Sequence, residues 1–339
     1  MSQQTTPATN YLSSLWTRVE PIPFISHCFE YRILFQRKTK SLVAILSNMD
    51  TDLIYKYLFA SNSWRKYELQ PPKKLDQPNL VLDGAINGDT IYSYTNKHQI
   101  AIIKLINETN KYKLQIIKKV DKNQQLEPWG TAIIIADELH YINNGHLKYN
   151  INTKECNTLT NEVIPYAAVG LTKVKNKLLL FGGRKDFVRE YDIKNNHWKS
   201  VSTELPNAMH LRSCTTILNE QMILTSLADQ HGIFKIYIYE VKTKIIKNSC
   251  IKMPYAMNRN PCCDIFAIND EKEDILLTYG WIRNEYKDTP VCLQRLIKKY
   301  YVKEMVHLFN SNEHYKIDAT QILNNYSILC DRNINTILS

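Results

Sequence analysis

An aromatic or apolar residue followed seven positions later by a second one, with a polar turn between them, recurs five times along this chain. The pairs are Tyr57 with Trp64, Leu105 with Tyr112, Tyr149 with Cys156, Tyr191 with Trp198, and Tyr239 with Ile246. The first members stand at 57, 105, 149, 191 and 239, so successive intervals are 48, 44, 42 and 48 residues. Between about residue 20 and residue 285 the sequence reads as short alternating or apolar runs bounded by Asn, Asp, Lys and Pro, an all-β signature. A small antiparallel unit cannot hide both of its faces alone, so copies must stack against one another. A period in the forties with four strands per unit predicts radially packed blades and excludes helical solenoids.

Two further markers follow the same period. A proline precedes each expected innermost strand, at Pro23, Pro78, Pro128, Pro165, Pro206 and Pro254, where a fixed φ would stiffen the crossing between units. The runs LVAILSN, DTIYSYTN, ELHYINN, KLLLFGG, QMILTSL and DILLTYG supply six candidate second strands. Six blades are therefore expected. In the fourth unit the run ends in Gly182-Gly183, and Tyr191 and Trp198 follow. These residues resemble the kelch repeat, whose blades carry a double glycine after the second strand and then a spaced Tyr and Trp. The first unit keeps Tyr57 and Trp64, and the sixth keeps one glycine in Tyr279-Gly280-Trp281. The resemblance implies an all-β, six-bladed kelch-like β-propeller that acts as a non-catalytic protein-interaction scaffold. The alternative it implies is an enzyme acting on an acidic sugar, similar to the six-bladed sialic-acid epimerases.

The propeller is expected over residues 11–318, with an N-terminal tail at 1–10 and a C-terminal tail at 319–339. Ser14 to Val19 would supply the strand that completes the sixth blade, since closure removes exposed sheet edges. His314 to Ile317 is a rival for that role. Leu293, Leu296, Ile297, Tyr300 and Tyr301 fall at helical spacing, with Lys298, Lys299 and Lys303 largely opposite. They predict a short helix near 291–305, followed by a strand near Val306 to Phe309.

Charge and composition narrow the function. With 43 Lys and Arg against 33 Asp and Glu the net charge is +10, which favours acidic partners at long range. The 21 tyrosines fall mostly at alternating strand positions, where packing explains them, so nucleic acid is not the expected partner. Met1 to Asn10 has neither a basic start nor an apolar stretch, and no run is long enough to span a bilayer, so a monomeric cytoplasmic protein without membrane contact is expected. The eight cysteines form no C-x-x-C pair and read as free thiols. Cys28, Cys214, Cys262 and Cys263 near inner-strand starts could instead form a soft-metal ring, but small residues filling the narrow end of each blade is the expected reading. No H-E-x-x-H, G-x-S-x-G, P-loop or G-x-G-x-x-G occurs, so no cofactor, metal or catalytic residue is expected.

The loops are more informative. In an up-and-down blade the connection from the second to the third strand and the crossing into the next blade emerge at one end. The first class carries His98, His146, Arg184 with Lys185, His231 and Arg283; the crossings carry His27, His210 with Arg212, and Arg259. The first blade departs from this with Asp50 and Asp52. A partner site, suited to an acidic protein segment, is expected at His146, Arg184, Lys185, Arg212, His231, Arg259 and Arg283.

Overall fold

The computed structural model describes residues 17–19, 30–36, 41–47, 52–58, 61, 63–70, 83–95, 97–106, 111–126, 130–159, 170–181, 187–204, 214–219, 222–228, 234–248, 264–269, 273–283 and 288–298. Nearly all of these residues lie in antiparallel meanders. After β1 (Thr17–Val19), the first meander is β2 (Glu30–Gln36), β3 (Ser41–Ser47), β4 (Asp52–Leu58) and β5 (Ser63–Gln70). The second is β6 (Asp83–Asn87), β7 (Thr90–Tyr94), β8 (Gln99–Ile106) and β9 (Lys111–Lys119). The third is β10 (Thr131–Ile135), β11 (Glu138–Ile142), β12 (His146–Asn150) and β13 (Cys156–Leu159). The fourth is β14 (Gly170–Val174), β15 (Lys177–Phe181), β16 (Phe187–Asp192) and β17 (His197–Glu204). The fifth is β18 (Cys214–Asn219), β19 (Met222–Ala228), β20 (Phe234–Glu240) and β21 (Ile245–Asn248). Last come β22 (Asp264–Asn269), β23 (Glu273–Arg283) and β24 (Asp288–Lys298).

The third, fourth and fifth meanders are separate four-stranded sheets, and the first two join into one eight-stranded sheet through β5 and β9. That junction is parallel and short, pairing Glu68 with Lys111, Leu69 with Tyr112 and Gln70 with Lys113. The remaining sheet runs β1-β24-β23-β22, so a strand from the start of the chain completes the last unit. The register is Thr17 to Gln294, Arg18 to Leu293 and Val19 to Cys292. Trp16, Val306 to Phe309 and His314 to Ile317 lie outside the described residues.

One expectation is corrected here. Residues 288–298 are a strand and not the start of a helix. Leu293, Leu296 and Ile297 face Thr278, Ile275 and Asp274 across β23 over an eleven-residue ladder. The backbone hydrogen bonds of that ladder outweigh a helical spacing carried by only a few apolar residues. The remainder of the expected helix, 299–305, lies outside the described residues.

The seven-residue interval has a simple cause. Every one of the five pairs is a direct cross-strand couple between the third and fourth strands of a meander. Tyr57 faces Trp64, Leu105 faces Tyr112, Tyr149 faces Cys156, Tyr191 faces Trp198 and Tyr239 faces Ile246. The third-strand tyrosines 57, 149, 191 and 239 are all fully buried. They pack between sheets: Tyr149 and Cys156 join Tyr94 and Ile100 of the second meander, and Tyr191 and Trp198 join Ile135 and Ile142 of the third. First strands lie next to each other in succession, β2 beside β6, then β10, β14, β18 and β22. Their spacing sets a common inner side, with the core distributed as layers between neighbouring sheets. Buried tyrosine hydroxyls also hold the crossing from the second meander to the third. Tyr94 donates to the Leu126 carbonyl at 3.0 Å and accepts from the Leu126 N–H at 3.1 Å, while the Gly130 N–H donates to Tyr141 at 2.8 Å. The six prolines of the crossings lie outside the described residues.

Candidate functional site

Antiparallel meanders place the second-to-third connection and the crossing into the next first strand at the same end. Arg184 and Lys185 fall in the connection from β15 to β16, and His231 in that from β19 to β20. Arg212 and Arg259 fall in the crossings ahead of β18 and β22. All five lie outside the described residues. Arg283 closes β23 and pairs in register with Asp288, which puts it at the β23–β24 turn. Asp52 opens β4 at the equivalent place in the first meander.

His146 sits at this end by topology but is not available to a ligand. It opens β12, its neighbour across β11 is Ile142, and it is fully buried. The ring points toward the fourth meander and touches Tyr191 and Trp198 edge-on, with centroids 4.6 and 5.6 Å away. The Trp198 indole N–H donates to His146 Nδ1 at 3.2 Å. His146 Nε2 is 2.9 Å from His140 Nδ1, and His140 on β11 is likewise fully buried. Because an indole can only donate, His146 Nδ1 is the acceptor, and in a neutral ring the proton sits on Nε2 and is donated to His140. The His140 proton is then on Nε2, which lies 3.6 Å from Glu138 Oε2, beyond hydrogen-bond reach.

Burial, with Lys148 nearby, depresses the His140 pKa to about 4. Burial first, then His140 and Lys148, holds His146 well below the ordinary histidine range. Lys148 is fixed by Glu138 Oε2 and Asn196 Oδ1, each at 3.1 Å, and Asn196 also accepts from the Tyr191 hydroxyl at 2.7 Å. Burial and the carboxylates Glu138 and Asp192 push the Tyr191 phenol up to about 12. The two histidines, with Trp198, thus form a neutral, directional polar chain that ties the third sheet to the fourth, with both rings enclosed. Sequence reasoning missed His140 entirely, because one histidine in an apolar run carries no signal that its ring meets His146 on the adjacent strand.

Among the described residues no group of three or more His, Cys, Asp or Glu side chains could hold an ion; Cys28, Cys262 and Cys263 lie outside those residues. Cys156 is a free, buried thiol whose pKa burial raises to about 11. Among the described residues no helix is long and apolar enough to cross a membrane.

No family model matches the chain, and no curated protein matches its sequence. Its fold does have solved counterparts. The structure of U3-55K is similar over 81% of this chain and 84% of its own, with a TM-score of 0.51 and 12% identity. The crystal structure of the RRP9 WD40 repeats is similar over 81% of this chain and 83% of its own, with a TM-score of 0.52 and 14% identity. The chain therefore has the β-propeller architecture.

Proposed function

We propose that this protein is a non-catalytic interaction propeller of six blades, each a four-stranded meander, with the N-terminal strand completing the sixth. The reading takes the eight-stranded sheet as two blades joined at their outer strands, and it takes the Tyr191–Trp198 couple as kelch-like. The partner is an acidic segment of another protein. It is gripped at the end where second-to-third connections and crossings meet, by Arg184, Lys185, Arg212, His231, Arg259 and Arg283. His146, being enclosed, is withdrawn from that set. The observation that carries the reading is the repeated meander, since it delivers a connection and a crossing from successive units to one end. Loops converging from several sides can hold a partner that a single flat sheet could not. The protein is proposed to work as a cytoplasmic monomer without nucleic acid, membrane or cofactor.

The test is the charge-reversal pair Arg184→Glu with Arg283→Glu in protein shown to be folded by its melting curve. Partner co-purification at about 0.15 M salt, where only short-range contacts survive screening, should be lost. Unchanged co-purification would move the site elsewhere. A rise in melting temperature with an acidic sugar such as sialic acid, without any co-purifying protein, would replace the scaffold by an enzyme of acidic sugars.

A further inference from the structure

A second surface of distinct character lies on the second meander, away from the loop end. Lys104 and Lys113 are direct cross-strand partners on β8 and β9, and both are exposed. They flank the β8–β9 connection, at the opposite end of their sheet from the β7–β8 connection. Like charges placed directly opposite one another destabilise a sheet. Among the described residues no carboxylate offsets either of them. Residues two apart share a sheet face, so Lys111 lies beside Lys113, and the parallel junction brings Lys66, Glu68 and Gln70 of β5 onto the same face. Glu68 bonds Lys111 at 2.7 Å, which leaves Lys66, Lys104 and Lys113 as exposed cations around one neutralised pair.

We propose that this strip binds an extended acidic peptide with carboxylates at every second residue. Lys113 and Lys66 lie on this face about 13 Å apart along the strands by ordinary strand rise, since Lys66 stands four residues before Gln70, the partner of Lys113; that is two alternate-residue steps of an extended peptide, with the Lys111–Glu68 pair between them. Lys104 stands across from Lys113 at about 5 Å and would clasp the same carboxylate from the other side. The remaining neighbours on this face are Ile102, Ile106 and Gln115, facing Gln115, Lys111 and Ile102 in register. Single-stranded nucleic acid would want exposed aromatic rings between the cations for its bases to stack on, and half-buried isoleucines do not supply them. An acidic peptide also relieves the Lys104–Lys113 repulsion, which gives the unfavourable pair a physical use. This surface does not depend on the partner proposed at the loop end.

The experiment measures binding of a fluorescent peptide of alternating Glu and Thr to the full chain by anisotropy. Its isomer, with Glu and Thr in two blocks, and oligouridylate serve as competitors. The alternating peptide should bind tightest, and Lys113→Glu and Lys104→Glu should each weaken it by about tenfold. Each of these variants should also melt at a higher temperature than the parent, because a repulsive pair becomes an attractive one. Lys242→Glu, the same charge change on an exposed turn of the fifth meander, should leave binding nearly unchanged. A loss in Arg184→Glu with Arg283→Glu as large as that in Lys113→Glu would place the peptide at the loop end and overturn the proposal. Equal affinity for the two isomers, or an equal loss in Lys242→Glu, would reduce the strip to general charge attraction and overturn the proposal. Tighter binding of oligouridylate would overturn the choice of partner.

Discussion

The Trp198 indole reaches across from the outer strand of the fourth meander to donate its proton to His146 Nδ1, 3.2 Å away on the third strand of the preceding one. Both side chains are buried, so this bond is shielded from water and joins two sheets that share no backbone ladder. Trp198→Phe keeps most of the ring but leaves a buried acceptor without a donor. It should lower unfolding free energy by about 1–3 kcal/mol in urea denaturation. Trp198→Ala also opens a cavity and should cost about 3–5 kcal/mol. If both variants unfold at the parent's midpoint, the inter-sheet bond carries no stability.

The histidine pair makes stability depend on pH. Protonating His140 sets its Nδ1–H against the His146 N–H, and protonating His146 sets its Nδ1–H against the Trp198 N–H, so either event breaks one bond. Burial acts in the same direction; among the described residues Glu138 is the one carboxylate near enough to favour the cation, and Lys148 opposes it. Unfolded histidine titrates near 6.5 and folded His140 near 4, so between those values the unfolded chain binds more protons. Stability from this group is therefore complete above about pH 6.5 and is lost as pH falls toward 4, by about 3 kcal/mol in total for His140. Denaturation curves between pH 7 and 5 should show the loss in the parent. The variant His140→Phe with His146→Phe should lack that slope, and an identical slope in both proteins would assign it to other groups.

Gly130 admits no side chain. A Cβ there would lie 2.4 Å from the Ile142 carbonyl oxygen and 2.6 Å from Tyr141 Cζ, while its own N–H is held by the Tyr141 hydroxyl. Backbone and a fully buried ring cannot both retreat, so Gly130→Ala should destabilise by about 1–3 kcal/mol. At Gly145 the added carbon would meet the movable end of Leu126 at 2.7 Å, and Gly145→Ala should cost less. The order of the two midpoints in a thermal melt decides the matter, and a reversed order would contradict it.

Cys156 should be a slow thiol. Its pKa of about 11 leaves little thiolate at pH 8, and it packs with Tyr149 and Leu139 in the layer between the second and third meanders. In a variant with the other seven cysteines replaced by serine, labelling by a chromogenic disulfide should be slow in buffer and rapid in urea. Fast labelling of the folded protein would place Cys156 nearer the surface.

Much of the architecture was legible because strand pairing obeys local rules. The intervals of Tyr57, Tyr149, Tyr191 and Tyr239 to their partners are set by hairpin length, which is a property of contiguous sequence. The same holds for the six second strands read from apolar runs, each of which overlaps β3, β7, β11, β15, β19 or β23. The helix expected near 291–305 gives way to strand over its described part, to residue 298, for a complementary reason: whether an apolar run coils or extends depends on whether a strand edge is available, and β23 supplied one. The site was less legible. Nothing contiguous distinguishes His146, enclosed under Trp198, from a histidine in an open loop.

The sequence by itself determined the repeat, the four-strand rhythm and the third-to-fourth strand couples, since all of these are short-range matters of turn length and side-chain alternation. Only the tertiary structure decided what joins one meander to the next: the Trp198–His146 bond between the third and fourth, and the parallel junction of β5 and β9 that sets Lys66 on the face of Lys104 and Lys113. These contacts join residues tens of positions apart, Trp198 to His146 by packing of one sheet on the next and Glu68 to Lys111 by a ladder between two meanders. That packing depends on the shapes of two faces at once, and a single chain segment read alone carries only one of them.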